Sequence, residues 1–158
     1  MASELKNLSS YNKDDIPSGE KFSFGIVISE WNDEITTNLL NGAVNTLLEH
    51  GTDEKDILIE HVPGAYELPF GAKSLFNRKR LDAIICLGCI IQGETRHFDF
   101  IADAVANGIM KVSLDCDIPV IFGVLTTNNI EQARERSGGR LGNKGVEAAI
   151  TALKMADL

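Results

Sequence analysis

Four short apolar runs rich in β-branched residues, each followed by a stretch of helical periodicity, constrain this chain more than any other feature. They are Phe22 to Ser29 (FSFGIVIS), Asp56 to Val62 (DILIEHV), Leu81 to Ile91 (LDAIICLGCII) and Pro119 to Leu125 (PVIFGVL). After the first, Glu30 to Asp33 forms a turn, with Asn32 or Asp33 suited to cap a helix. From Thr37 to His50, Leu39, Leu40, Ala43, Val44, Leu47 and Leu48 then recur on one helical face, closed by Gly51. Further helices are predicted to about Arg78, to about Leu114, from Asn129 to about Ser137, and from Asn143 to Met155. The last two are separated by the Gly-rich break Ser137 to Gly142. Strands alternating with helices are βαβ units, and their economical packing is a parallel sheet covered on both faces. The expected fold is therefore α/β: a three-layer α/β/α sandwich of flavodoxin-like type, with a four-stranded parallel sheet and right-handed crossovers.

The 158 residues suit one domain with a core that needs no disulfide or metal. We place that domain at 22–158. Residues 1–21 lack apolar periodicity and are broken by Pro17, Ser18 and Gly19, so they read as a mobile arm that could add an edge strand to a neighbouring subunit. A net charge of −8 argues against nucleic acid as a partner, yet leaves room for a small anionic substrate held by local cations. No apolar run reaches the roughly 18 residues of a membrane span. The polar N-terminus lacks the apolar centre of a secretory signal, so the expected location is cytoplasmic, without membrane association. Cys86 and Cys89 spell C-x-x-C, but inside a strand this spacing puts the two thiols on opposite faces, as core residues and not as a redox or zinc pair.

Ligands of open parallel sheets bind beyond the carboxyl ends of the strands. In this chain those ends carry Trp31-Asn32, Pro63 to Glu67, Ile90 to His97, and Phe122 to Thr127. Trp31, alone in a polar turn, suits stacking on a heteroaromatic ring, although it could also pack over the helix behind it. Glu67 could accept hydrogen bonds from polyol hydroxyls, or simply favour a helix start. The loop Gln92 to His97 combines a glycine, a hydroxyl and a histidine at the start of a helix, where free N–H groups attract anions; it could equally be a capped turn. Arg136, Arg140 and Lys144 form a cationic edge, solvated unless a phosphate lies nearby. No GxGxxG or P-loop follows the first strand, no flavodoxin-type phosphate loop stands there, no Asp ends the third strand, and no nucleophile elbow occurs. The three dispersed His argue against a metal site.

Taken together, the strand ends resemble the lumazine synthase family from about Phe22 onward. The pieces that carry the resemblance are Ser29 to Asn32, Pro63 to Pro69, Gly88 through Gln92-Gly93-Glu94-Thr95-Arg96-His97-Phe98-Asp99, Phe122 to Thr126, Glu131 to Arg136, and Gly142 to Gly145. The resemblance implies condensation of 5-amino-6-ribitylaminouracil with 3,4-dihydroxy-2-butanone 4-phosphate to 6,7-dimethyl-8-ribityllumazine, the penultimate step of riboflavin biosynthesis, with no metal or organic cofactor. Transferred by position, Trp31 would stack on the pyrimidine with Asn32 beside it. Gly64, Ala65, Tyr66 and Glu67 would hold the ribityl chain, and Ile90 and Ile91 would line the ring pocket. Gly93, Glu94 and Thr95 would bind phosphate together with Arg136, His97 would be the general acid/base, and Phe122 (from an adjacent subunit) and Lys144 would complete the site. Tyr66 departs from a common Phe, and Glu94 is an awkward charge in a phosphate loop, tolerable if its backbone N–H serves. The resemblance further implies a homopentamer, a 60-subunit icosahedral shell and an association with riboflavin synthase. The alternatives are a non-catalytic shell protein that binds flavin or lumazine, and a flavodoxin-like electron carrier.

Overall fold

The computed structural model describes Asn7 and residues 9–158. Its elements are β1 (Phe24–Ser29), α1 (Asp33–Glu49), β2 (Ile57–Val62), α2 (Leu68–Arg78), β3 (Ala83–Ile91), α3 (His97–Cys116), β4 (Val120–Thr127), α4 (Ile130–Glu135), β5 (Ser137–Gly139), β6 (Gly142–Asn143) and α5 (Lys144–Ala156). The four long strands form one parallel sheet in the order β2-β1-β3-β4, so the strand order reverses between β1 and β3. The expected sandwich and its flavodoxin-like order are what the chain adopts.

Two apolar layers clamp the sheet, and strand periodicity sorts residues between them. Phe24, Ile26, Ile28, Ala83, Ile85, Leu87 and Cys89 face α1 and α5, packing on Leu39, Leu47, Ala149 and Leu153. Val27, Ile84, Cys86 and Ile90 face α2 and α3, packing on Leu68, Leu75, Val105 and Ile109. Cys86 and Cys89 therefore belong to different layers. Burial alone pushes their thiols up to about 12 and about 11, as expected of core residues whose charged form has no partner.

Three expectations are corrected. Ser137 to Gly142 is not a simple break but a small antiparallel pair, β5 on β6, turned where Gly138 and Gly142 have φ of 122° and 86°. β4 runs on to Thr127, because the β-branched Thr126 and Thr127 continue the ladder opposite Ile90 and Ile91. Phe122 consequently lies opposite Cys86 near the start of the strand, not at its carboxyl end. Asn32 precedes α1 but its side chain does not cap the helix.

Within the arm, residues 1–6 and 8 lie outside the described residues. Residues 9–21 form a single 3-10 turn, Lys13–Asp15, and rest against their own chain. Ser9 Oγ accepts from the Asn143 N–H at 3.0 Å, Gly19 N–H donates to His50 O at 2.7 Å, and Ile16 packs against the α1/α5 core. Among the described residues no helix is long and apolar enough to cross a membrane.

Candidate active site

A cleft of about 480 Å³ opens at the carboxyl ends of β1, β2 and β3, where the strand order reverses. Beyond β1, the N–H groups of Glu30 and Trp31 donate to Val62 O (2.9 Å) and Pro63 O (3.3 Å), carrying the β1–β2 pairing past its last residues. The next residue, Asn32, has φ 60° and ψ 48°, and its amide Nδ2 donates to Cys89 O at 2.9 Å. This turn leaves the Trp31 ring 72% exposed on the lip of the cleft, so the packed alternative for that ring does not apply.

Beyond β2, Pro63 and the extended Gly64 lead into a 3-10 turn, Ala65–Glu67, that runs straight into α2 with Pro69 in its first turn. Glu67 folds back across this turn until its Oε2 lies 3.0 Å from where a Cβ on Gly64 would sit. A carboxylate is thereby held at one wall of the cleft, with Tyr66 exposed beside it and Ala65 buried beneath.

Beyond β3, Gln92 N–H donates to Thr127 O at 2.8 Å, and the Gln92 amide Nε2 donates to the carbonyls of Gly93 (3.0 Å) and Thr95 (3.4 Å). Those carbonyls are drawn toward Gln92. Thr95 Oγ1 accepts from the His97 N–H at 3.4 Å within the turn that leads into α3, but the cap position is Arg96 and no side chain caps the helix, so Thr95 is not the helix cap that the capped-turn alternative supposed. A Cβ on Gly93 would meet no atom within 4 Å, so nothing in this chain demands glycine there; the missing side chain leaves room for something outside the chain. His97, at the first position of α3, faces the same cleft, beside the positive end of the helix dipole.

The cleft thus gathers Trp31, Asn32, Gly64, Ala65, Tyr66, Glu67, Ile90, Ile91, Gly93, Thr95 and His97. Glu94 belongs to the same loop but does not line it. Phe122, Arg136 and Lys144 stand apart from it as well. Phe122 is 37% exposed on the edge strand β4, and Arg136 ends α4 with its Nη1 bonded to Gln132 O. Lys144 starts α5, donating its N–H to Arg136 O at 2.9 Å and pairing its Nζ with Glu147 at 3.1 Å. Among the described residues, therefore, the lining holds Glu67 and His97 but neither Lys nor Arg. Sequence reading missed three lining residues, Cys89, Phe98 and Ile101. Phe98 and Ile101 are three apart on α3, a helical-face signal available in the sequence. Cys89 gave none, because a residue in a buried strand looks the same whether its neighbour is core or cleft.

Sheet order and cleft together define a flavodoxin-like α/β protein with a small-molecule site at its topological switch point. A family model described as 6,7-dimethyl-8-ribityllumazine synthase matches residues 21–158. Proteins of that same description from Cytophaga hutchinsonii and Christiangramia forsetii are 59% and 54% identical to this chain, over 98% and 100% of it and 97% and 95% of their own lengths. One from Flavobacterium johnsoniae is 53% identical over 99% of this chain and 82% of its own. The chain belongs to the 6,7-dimethyl-8-ribityllumazine synthase family, and it is an enzyme of riboflavin biosynthesis.

Proposed function

We propose that the cleft condenses 5-amino-6-ribitylaminouracil with 3,4-dihydroxy-2-butanone 4-phosphate to give 6,7-dimethyl-8-ribityllumazine, releasing phosphate and water. Trp31 stacks on the pyrimidine, and the backbone of Ile90 and Ile91 pairs with its edge. The ribityl chain lies along Gly64 to Glu67, with the Glu67 carboxylate accepting from its hydroxyls. Phosphate sits on the Gly93 to Thr95 loop at the head of α3, where the Glu94 N–H serves while its carboxylate points away. His97 moves protons during imine formation and phosphate elimination. Holding the two substrates face to face supplies much of the acceleration.

One observation carries the assembly part of this reading. The phosphate substrate is a dianion near neutral pH, yet the cleft lining contains no cation. Arg136, with Lys144 beside it and Phe122 nearby in chain order, therefore acts on the cleft of an adjacent copy, Arg136 gripping the phosphate. A subunit that gives one patch and receives another builds heterologous contacts, which form a ring when the rotation between copies closes. We place the chain in a homopentamer in the cytoplasm, with twelve pentamers forming a 60-subunit shell able to associate with riboflavin synthase. Residues 22–158 act as the single domain, and the N-terminal segment serves the assembly.

The test mixes purified protein with both substrates and follows lumazine absorbance and fluorescence against the uncatalysed background. A rate well above background is expected, with Arg136→Ala raising the KM for the butanone phosphate by about tenfold or more, the worth of a charge-assisted hydrogen bond. Tight riboflavin binding without acceleration would favour the non-catalytic shell protein instead.

A further inference from the structure

We infer that Asn32 is a positioning residue that holds Trp31 over the cleft, acting through the backbone and the end of β3 and not by touching substrate; this rests on Trp31 being the ring that stacks on the pyrimidine. A ring 72% exposed gains little orientation from packing, so its direction must come from its main chain. That main chain is strapped to the β2 side by the Glu30 and Trp31 N–H groups, bonded to Val62 O and Pro63 O. On the other side the β1–β3 ladder ends at Ile28 opposite Leu87, two residues short of Cys89. The Asn32 amide bridges that gap by donating to Cys89 O at 2.9 Å.

The backbone of Asn32 supports the same reading. Among the described residues only two non-glycine residues have positive φ, Asn32 and Asp117. Asp117 follows the C-terminus of α3, where the left-handed conformation is a common helix ending. Asn32 precedes a helix, where the residue is normally extended and uses its side chain to cap. Here it is left-handed and makes no cap bond. Asn tolerates that region better than most L-residues, and the conformation sends its amide to β3 instead of α1. Both helix-start functions are given up for a bond that fixes the turn carrying Trp31.

Trp31 is the only Trp in the chain, so it reports on itself. The experiment measures time-resolved fluorescence anisotropy of the ligand-free assembled protein, and KM and kcat for both substrates, in wild type, Asn32→Gly and Asn32→Asp. Gly keeps the left-handed backbone and loses the amide; Asp keeps the shape and replaces the donor with an acceptor facing Cys89 O. Both variants should show a larger fast depolarisation of Trp31 and a KM for the ribitylaminouracil raised by about tenfold, the upper range of a single neutral hydrogen bond. The KM for the butanone phosphate and kcat at saturation should stay within about twofold. Wild-type anisotropy in both variants would overturn the inference, and so would a raised pyrimidine KM with unchanged anisotropy, which would make Asn32 a direct substrate contact. A parallel rise in both KM values together with a lowered Tm would also overturn it, leaving a merely structural role. A loosened Trp31 with an unchanged pyrimidine KM would uphold the positioning and sink the stacking role on which it rests.

Discussion

The imidazole of His97 meets the cleft from the first position of α3, exposed and with its backbone N–H bonded to Thr95 Oγ1. In the proposed reaction it passes protons as one contributor among several. His97→Ala is expected to lower kcat by about 100-fold, the modest end of acid/base catalysis, and not to abolish turnover, because substrate juxtaposition survives. A folded variant that binds both substrates but shows no rate above background would refute that division. Cys86 offers a different test. Its thiol is pushed up to about 12 by burial, whereas in the unfolded chain it ionises near 9.0. Only the unfolded state loses that proton between these two values, so the buried thiol's contribution to stability is complete below pH 9 and falls away as pH rises toward 12. Urea midpoints recorded across that alkaline range should decline less in Cys86→Ala, after allowing for the cavity, than in wild type; parallel curves would contradict the assignment. Glu34 has the opposite sign. The Arg134 guanidinium, bonded to both of its oxygens at 2.8 and 2.9 Å, holds its carboxyl below the ordinary value, and that contribution disappears as pH falls through the lowered value.

The tightest joint between elements is the crossing of α1 and α5. Leu39 O lies against Gly145 so closely that a Cβ there would overlap it, while Asn143 fastens the same corner by accepting from the Gly145 N–H at 2.7 Å and donating to Asn38 O at 2.9 Å. Gly145→Ala should force the helices apart and cost about 1–3 kcal/mol or more, read as a lower urea midpoint at unchanged slope. Wild-type stability would mean that α5 can shift freely. Most elements were legible from periodicity alone: alternation within LDAIICLGCII sorted Cys86 from Cys89, and the Leu39 to Leu47 spacing gave the α1 core face. What remained hidden depends on tertiary pairing. β4 reaches Thr127 only because β3 offers partners at Ile90 and Ile91, and that extension displaces Phe122 from the strand end where sequence had put it. The β5–β6 pair is too short to show any period. Asn32 has the chemistry of a helix cap, and only the nearby Cys89 carbonyl explains why it does something else.

Across the whole molecule, the strand-end logic located Trp31, Gly64 to Glu67, Ile90, Ile91, Gly93, Thr95 and His97 in one cleft, because sheet topology fixes where strand ends converge. It could not tell that Arg136 and Lys144 stand apart from the cleft, since they follow the last long strand and no strand end fixes where they fall. The proposed sharing of each site between two subunits has a complementation test. Arg136→Ala subunits, unfolded and reassembled with Trp31→Ala/His97→Ala subunits, should recover activity in about a quarter of the sites, those formed from one intact half of each kind. Mixtures no more active than the two parents would place each site within a single subunit. The two layers of the sandwich also differ in when they can close. The α2/α3 layer is filled by segments following one another from Leu58 to Val124, with Val27 the one contribution from earlier in the chain. The layer on the other face needs α1 to wait for α5, because Leu39 and Leu47 share their core with Ala149 and Leu153. During synthesis one face of the sheet can therefore be covered well before the other: α1 can pack on β1 and β3 early, but the part of its apolar side that meets α5 stays uncovered until the chain has passed residue 153. In that interval the α5-facing side of α1 is an exposed apolar surface of the kind that promotes aggregation.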